Sequence, residues 1–488
     1  MKRLLPLLAL AGCAHPVVRG DIHQRGWLLV ETAHISLRTD LGRSDAIAHA
    51  RRLDQIWAAL AHVYDLVAPG SPPPSQPFRV IHLASCGDFE RIHSDVDGFV
   101  FGSVEGDIAV TCEGRGEAAL FHELAHIFNH HHFSRLPRWV DEGLATYYQT
   151  LAVRGGRAIL GNFPPGLSDY WNRQRWLPSL DEIRHLKPVE FYDPQRIGAN
   201  YFSAWKLVHL LNDTEKDRQR RFRAYLAALR GGATDEEAWG TAFAGDESLA
   251  DDYLTYQRRD RLNRLITAYR WTEPSAPRVR RLRAGEAHVL WASLLRVAHA
   301  DQVAAQLDRA ARADPHWPGL LYWRAVLLRP PNSVRLLRDY LAREPDDPKG
   351  WQALVRARMR TVLPANHDPL DRPPPPGVLA MQDDVRKLIE HSDTANALNE
   401  IGWYYAVAHN PNTGLNFALR AVRTEPSCAA CWDTVALLYY EAGKLDLAFE
   451  AQERSAGIYA EYAPREVNAR LERYRAALRR TQPGASAR

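Results

Sequence analysis

The segment His122-Glu123-Leu124-Ala125-His126 is the part of this 488-residue chain best placed to do chemistry. It lies in an apolar, helix-favouring run from Ala118-Ala119-Leu120-Phe121 to Ile127-Phe128. Residues four apart share one face of a helix, so both imidazoles can reach one metal ion, with Glu123 beside them. Two histidines on a metal, next to a carboxylate able to take a proton from water, can carry out metal-assisted hydrolysis. The pentapeptide alone is weaker evidence. In a chain with 20 histidines it can arise by chance, as a surface helix with two solvated rings.

A second motif follows, Leu136-Pro137-Arg138-Trp139-Val140-Asp141-Glu142-Gly143-Leu144-Ala145. Pro137 suits the first turn of a new helix. From that helix Glu142 would point towards the histidine pair. A catalytic zinc needs three protein ligands and one open position, and His122, His126 and Glu142 make up that set. Here the chain resembles a family. Trp139-Val140-Asp141-Glu142-Gly143-Leu144-Ala145 is similar to the W-x-x-E-G-x-A element of gluzincin metallopeptidases, and bacterial peptidase MA-like domains resemble it best. The resemblance implies Zn2+ as cofactor, with His122, His126 and Glu142 as its ligands. It makes Glu123 the general base for a zinc-activated water and a peptide or protein the substrate. Glu142 follows His126 by 16 residues, a little closer than in the best-known gluzincins. The family also often has a tyrosine at about the distance of Tyr201 beyond the glutamate. Tyr201 is therefore the candidate oxyanion donor, or else a tyrosine packed in the core. His130-His131-His132 reads as a polar helix end beside the negative dipole rather than as further ligands.

Ahead of the histidines, Gly98 to Val104 and Asp107 to Cys112 read as short strands joined at Glu105-Gly106. An edge strand beside a zinc helix can bind an extended peptide by strand addition. The G-x-M-E-N motif of aminopeptidases is missing, which favours endopeptidase over exopeptidase activity. Glu113 is either a substitute amine anchor or a turn cap.

The N-terminus bears on compartment. Met1-Lys2-Arg3 is basic, and Leu4 to Leu10 is apolar but too short to span a bilayer. Leu10-Ala11-Gly12-Cys13 resembles the lipobox of bacterial lipoproteins, which implies lipidation at Cys13 and a lipid anchor to membrane. No Asp follows Cys13, which points to the outer membrane of a bacterial cell envelope; an ordinary secretory signal is the alternative. The formal net charge is +4, or +2 without Lys2 and Arg3. This near-balance gives no electrostatic case for nucleic acid. Arg218 to Arg223 reads as the solvated face of a helix. An oxidising envelope permits disulfides, so Cys86 and Cys112 could pair. Cys428-Ala429-Ala430-Cys431 has redox spacing but no strand before it. A local disulfide or two packing residues at a helix start explain it better.

These motifs need elements to position them. A helix is expected from Ser44 to Leu66, with Ala46, Ile47, Ala50, Leu53, Ile56, Trp57 and Leu60 on one stripe. Strands are expected at 27–32, 34–39 and 78–83. Shifting the C-terminal stretch by 34 residues aligns Leu398 with Trp432, Ile401 with Val435, Gly402 with Ala436 and Tyr405 with Tyr439. That period resembles tetratricopeptide repeats. The expected order is a signal at 1–12, a tether at 13–26 and a peptidase domain at 27–262. Degenerate helical repeats follow at 263–360, a Pro-rich linker at 361–390, repeats at 391–475 and a disordered tail at 476–488. The fold class is α+β, a zincin-like peptidase domain followed by an all-α tetratricopeptide-like solenoid. The repeats dock a substrate or an envelope protein partner, or simply brace the enzyme. On this division, deleting them from Gly285 spares cleavage of small peptides. The rival reading is an envelope scaffold with an inactive peptidase fold; a hydrolase acting on a cell-wall peptide is a third.

Overall fold

The computed structural model describes residues 25–481 apart from 68–69, 71, 75, 94–96, 104–105, 116, 134–135, 165, 168–175, 214–216, 274, 364–367, 371–372 and 460–463. The proposed signal, Cys13 and the tail from 482 lie outside the described residues.

The first half is α+β. Its elements are β1 (Leu28–Glu31), β2 (Ile35–Thr39), α1 (Arg43–Val67), β3 (Phe78–Leu83), α2 (Cys86–Ile92), β4 (Phe99–Ser103), β5 (Gly106–Cys112), α3 (Ala118–His132) and α4 (Arg138–Tyr148). The hairpin β6 (Ala152–Arg154) and β7 (Arg157–Leu160) follows, turning on Gly155 and Gly156, both at positive φ as a tight hairpin turn requires. Then come α5 (Leu180–His185), α6 (Pro188–Phe191), α7 (Ile197–Leu211), α8 (Arg218–Arg230), α9 (Asp235–Ala242), α10 (Leu249–Gln257), β8 (Leu265–Ala268) and β9 (Arg278–Arg281).

A six-stranded sheet has the order β4-β5-β3-β2-β1-β9. Strands β2, β3 and β5 are parallel, while β4, β1 and β9 pair antiparallel to their neighbours. Successive strand side chains point to opposite faces. Val30, Leu37, Phe78, Val80 and Ala109 therefore join one core with α1, α3, α4 and α7. Ile81, Leu83, Ile108 and Val110 join a second core behind the sheet. On α1, Ala46, Ala50, Leu53, Ile56, Trp57 and Leu60 are buried as their spacing predicts.

Two boundaries differ from the sequence reading. Strands β8 and β9 lie beyond Leu262, yet β8 pairs with β7 and β9 closes the large sheet against β1. The helices α11 (Ala284–Ala298) and α12 (Val303–Ala313) cover the back of that sheet. There Trp291 meets Trp27 edge to face, ring centroids 6.4 Å apart. A deletion from Gly285 would strip one face of the sheet, and losing Trp291 alone would cost about 3–5 kcal/mol. The first half is not separable at that point.

The rest is helical: α13 (Gly319–Leu327), α14 (Ser333–Leu341), α15 (Pro348–Val362), α16 (Pro376–Leu379), α17 (Gln382–His391), α18 (Ala395–Val407), α19 (Pro411–Thr424), α20 (Ala429–Glu441), α21 (Leu445–Tyr459) and α22 (Arg465–Thr481). Helices α18 and α20 start 34 residues apart, as do α19 and α21. The C-terminal helices are tetratricopeptide-like repeats. The expected linker 361–390 is only partly one, because Val378, Met381, Val385 and Leu388 are buried among helices and make α17 an integral layer. No described helix is long and apolar enough to cross a membrane.

The four described cysteines form two disulfides, Cys86–Cys112 and Cys428–Cys431. The first ties α2 to the end of β5. The second sits at the start of α20, where Cys428 caps the helix. Arg218 departs from the solvated face expected of its stretch. It is buried, 2.9 Å from Asp246 and 2.7 Å from Asp252, whereas Arg220 is exposed.

Candidate metal centre

Helix α3 buries Leu120, Phe121, Leu124, Ala125 and Phe128 against the sheet. This turns His122, Glu123 and His126 to the opposite, partly open side. Helix α4 is buried along nearly its whole length, and its close approach to α7 explains how. Gly143 faces α7, where a Cβ would stand 2.7 Å from the Ala204 carbonyl oxygen and from Val208. The neighbouring Glu142 is thereby held deep, 3 % exposed, against the histidine pair.

Three ligand atoms converge. His122 Nε2 and His126 Nε2 are 3.1 Å apart, and Glu142 Oε2 is 3.4 Å from each. Ligands at about 2.0–2.1 Å from a tetrahedral zinc ion stand roughly 3.3–3.4 Å from one another. The triangle therefore fits zinc at three corners of a tetrahedron. Glu142 Oε2 is also buried without a hydrogen-bond partner, an arrangement that costs free energy unless something else satisfies the oxygen.

The partners behind these atoms orient them. His126 Nδ1 lies 2.9 Å from Asp141 Oδ1. A carboxylate only accepts, so Nδ1 carries the proton and Nε2 keeps its lone pair for a metal. His122 Nδ1 lies 3.0 Å from Gln149 Oε1, which fixes that ring the same way. Asp141 is the hub: it also takes the Asn129 amide at 3.0 Å, His130 Nε2 at 3.1 Å and Arg138 at 3.4 Å. The Tyr192 hydroxyl donates to Glu142 Oε1.

The charges follow the geometry. Burial alone would lift the Glu142 pKa, but His126 and His122 overcome it and hold the carboxyl well below its ordinary range. Burial likewise opposes charge on His126, yet Asp141 and Glu142 raise its pKa well above the usual imidazole value. Burial, then Glu142, push the Tyr201 hydroxyl upward, so it stays a donor.

The structure brings His122, His126 and Glu142 together, with Tyr201 beside them, its ring centroid 6.1 Å from that of His122. Glu123 bears on Tyr201 electrostatically. Asp141, Gln149 and Tyr192 were not singled out by sequence. Asp141 stood inside the quoted motif without a role, and nothing marked Tyr192. His130 lies in the last turn of α3, and it also stands with His126 and Asp141 in a second group of close ligand-type atoms.

Asp141 gives the first prediction. Asp141→Asn keeps the shape but loses the charge behind His126. Zinc affinity should fall about 10–100-fold, measured by competition with a chromophoric chelator. An unchanged affinity would remove Asp141 from the centre.

No family model matches the chain, and no curated protein matches it. Among solved structures it is similar to a thermophilic TPR protein of Thermus thermophilus, at 19% identity over 40% of this chain and 98% of that one, TM-score 0.30. It is also similar to the MamA protein, at 13% identity over 36% of this chain and 91% of that one, TM-score 0.28. The TPR domain of P58(IPK) matches at 13% identity over 59% of this chain and 76% of that one, TM-score 0.23. The fold and site thus define an α+β unit with a two-histidine, one-glutamate cluster, continued by tetratricopeptide-like helices.

Proposed function

We propose that this protein is a zinc-dependent peptidase, of gluzincin type and endopeptidase in action, whose repeats dock protein. The observation that supports it most is the convergence of His122 Nε2, His126 Nε2 and Glu142 Oε2 at 3.1–3.4 Å, with Glu123 on the same open face. Zinc held by these three residues would acidify a water molecule and polarise a scissile carbonyl. Glu123 takes the proton of the attacking water and returns it to the leaving amine. Tyr201 donates to the oxygen that gains charge as the carbonyl carbon becomes tetrahedral. Tyr192 holds Glu142 in place. Strand β4 is the sheet edge beside α3, and an extended polypeptide can add to it. A lipid anchor at Cys13, in the outer membrane of a bacterial envelope, completes the proposal.

The test is zinc stoichiometry on protein lacking residues 1–13, with casein cleavage followed in the same samples. One zinc per chain and chelator-sensitive cleavage are expected. Absence of zinc sinks the proposal. One zinc without cleavage of casein or of a peptide library favours the scaffold reading.

A further inference from the structure

Three features locate the two ends of the metal cleft. Gly98, just before β4, sits against α3, an added Cβ standing 3.1 Å from that of Ala119. Strand β4 runs antiparallel to β5, and the chain leaves the end of β5 to start α3. At the other end of α3, His131 Nε2 lies 2.9 Å from the Pro72 carbonyl oxygen, in the loop that enters β3. Helix α3 and strand β4 therefore run the same way, as floor and wall of the cleft. The end of β4 and the start of β5 lie near the C-terminal end of α3.

The C-terminal repeats reach that same end. Arg454 on α21 comes to Gly232, where an added Cβ would stand 3.8 Å from its Nη2. Gly232 follows α8, whose last residue, Arg230, acts on His132 at the end of α3. On the other side Glu425, after α19, lies within electrostatic reach of Asp107 at the start of β5. Crowding by protein, and then Asp107, raise the Glu425 pKa although the residue stays open to solvent. Between Glu425 and Arg454 lies half-buried Trp432, with the Arg454 guanidinium 4.8 Å from its ring centre. The Trp432 indole N–H donates to the Pro426 carbonyl at 2.8 Å, and the Cys428–Cys431 disulfide braces the same turn.

We propose that the face carrying Glu425, Trp432 and Arg454 receives the stretch of an extended polypeptide substrate that lies N-terminal to the scissile bond; this rests on the peptidase reading above. A strand adding antiparallel to β4 runs opposite to it, so its N-terminal side leaves the cleft at this end. Leu124 is about 7.5 Å along α3 from Ala119, and five strand residues span about 17 Å. The substrate therefore meets the repeats about three residues upstream of the bond that is cut. An aromatic ring backed by a guanidinium holds an extended chain with little demand on its sequence, and the carboxylates of Asp107 and Glu425 favour a basic side chain there.

The experiment uses the full chain without residues 1–13, zinc-loaded. A short fluorogenic peptide is compared with the same peptide lengthened by four residues, one of them Lys, at either its N-terminal or its C-terminal end. Upstream lengthening should lower KM about tenfold and leave kcat nearly unchanged, whereas downstream lengthening should not. In Trp432→Ala and in the surface double variant Glu425→Lys/Arg454→Glu, each checked for folding by its melt, the upstream gain should shrink to less than threefold. A core peptide that is cut equally well with or without upstream residues overturns this inference alone. So does an upstream gain that survives both changes. A wild type that leaves the core peptide uncut overturns the peptidase reading and this inference together.

Discussion

Glu123→Gln should bind one zinc per chain and cleave at least about a thousandfold more slowly than wild type. The change keeps the side chain's size and replaces one oxygen by an amide that cannot take a proton, so it removes a general base without opening a hole. The metal should stay because Glu123 is not among the converging atoms: His122, His126 and Glu142 are. Their supports, Gln149 and Asp141, are untouched as well. The expected loss is large because, in the proposed mechanism, proton transfer and the orientation of water would depend on the same carboxylate. Zinc content and initial cleavage rate, measured on one preparation, check both halves. Retained cleavage with full zinc would remove Glu123 as the base. Lost zinc would show instead that Glu123 supports the ligands.

The three converging atoms were legible in sequence for a local reason. His122 and His126 are one helical turn apart, and that spacing alone puts them on one face. Glu142 was legible through its motif, although its distance from the pair depends on how α4 packs. Asp141 shows the limit. It stood next to Glu142 in sequence, but its role comes from gathering His126, Asn129 and His130 from another helix, a tertiary fact. Tyr192 was hidden because it reaches Glu142 from beyond α6 with no periodic pattern around it. The boundary at Leu262 failed for a similar reason. Strand β9 reads Arg278-Val279-Arg280-Arg281, with no apolar alternation, because it is an edge strand kept by its pairing with β1 rather than by burial. The repeats were clearer, because a period of 34 holds in helix starts even where the residues differ from one repeat to the next.

Gly143→Ala should disarm the metal centre without touching a ligand. Glycine inside a helix normally costs stability relative to alanine, so on an isolated α4 the change would be favourable by about 1 kcal/mol. The packing reverses that sign. The new methyl carbon would stand 2.7 Å from the Ala204 carbonyl oxygen and 2.7 Å from Val208 Cγ2, and 3.1 Å from the Ala204 carbonyl carbon. Two of these three atoms are backbone of α7, a helix buried along most of its length, so they cannot rotate away. The helices must separate, at a cost of about 1–3 kcal/mol or more. The separation carries Glu142, the preceding residue on α4, out of the position in which Oε2 stands 3.4 Å from both imidazoles. A shift of about half an ångström already exceeds the tolerance of a metal-ligand distance. Zinc affinity should therefore fall by at least tenfold, together with a lowered unfolding midpoint of the metal-free protein. Chelator competition and thermal melts read the two effects separately. A variant that melts early yet binds zinc as wild type would show that Glu142 is positioned by Tyr192 and the imidazoles rather than by the approach of α4 to α7.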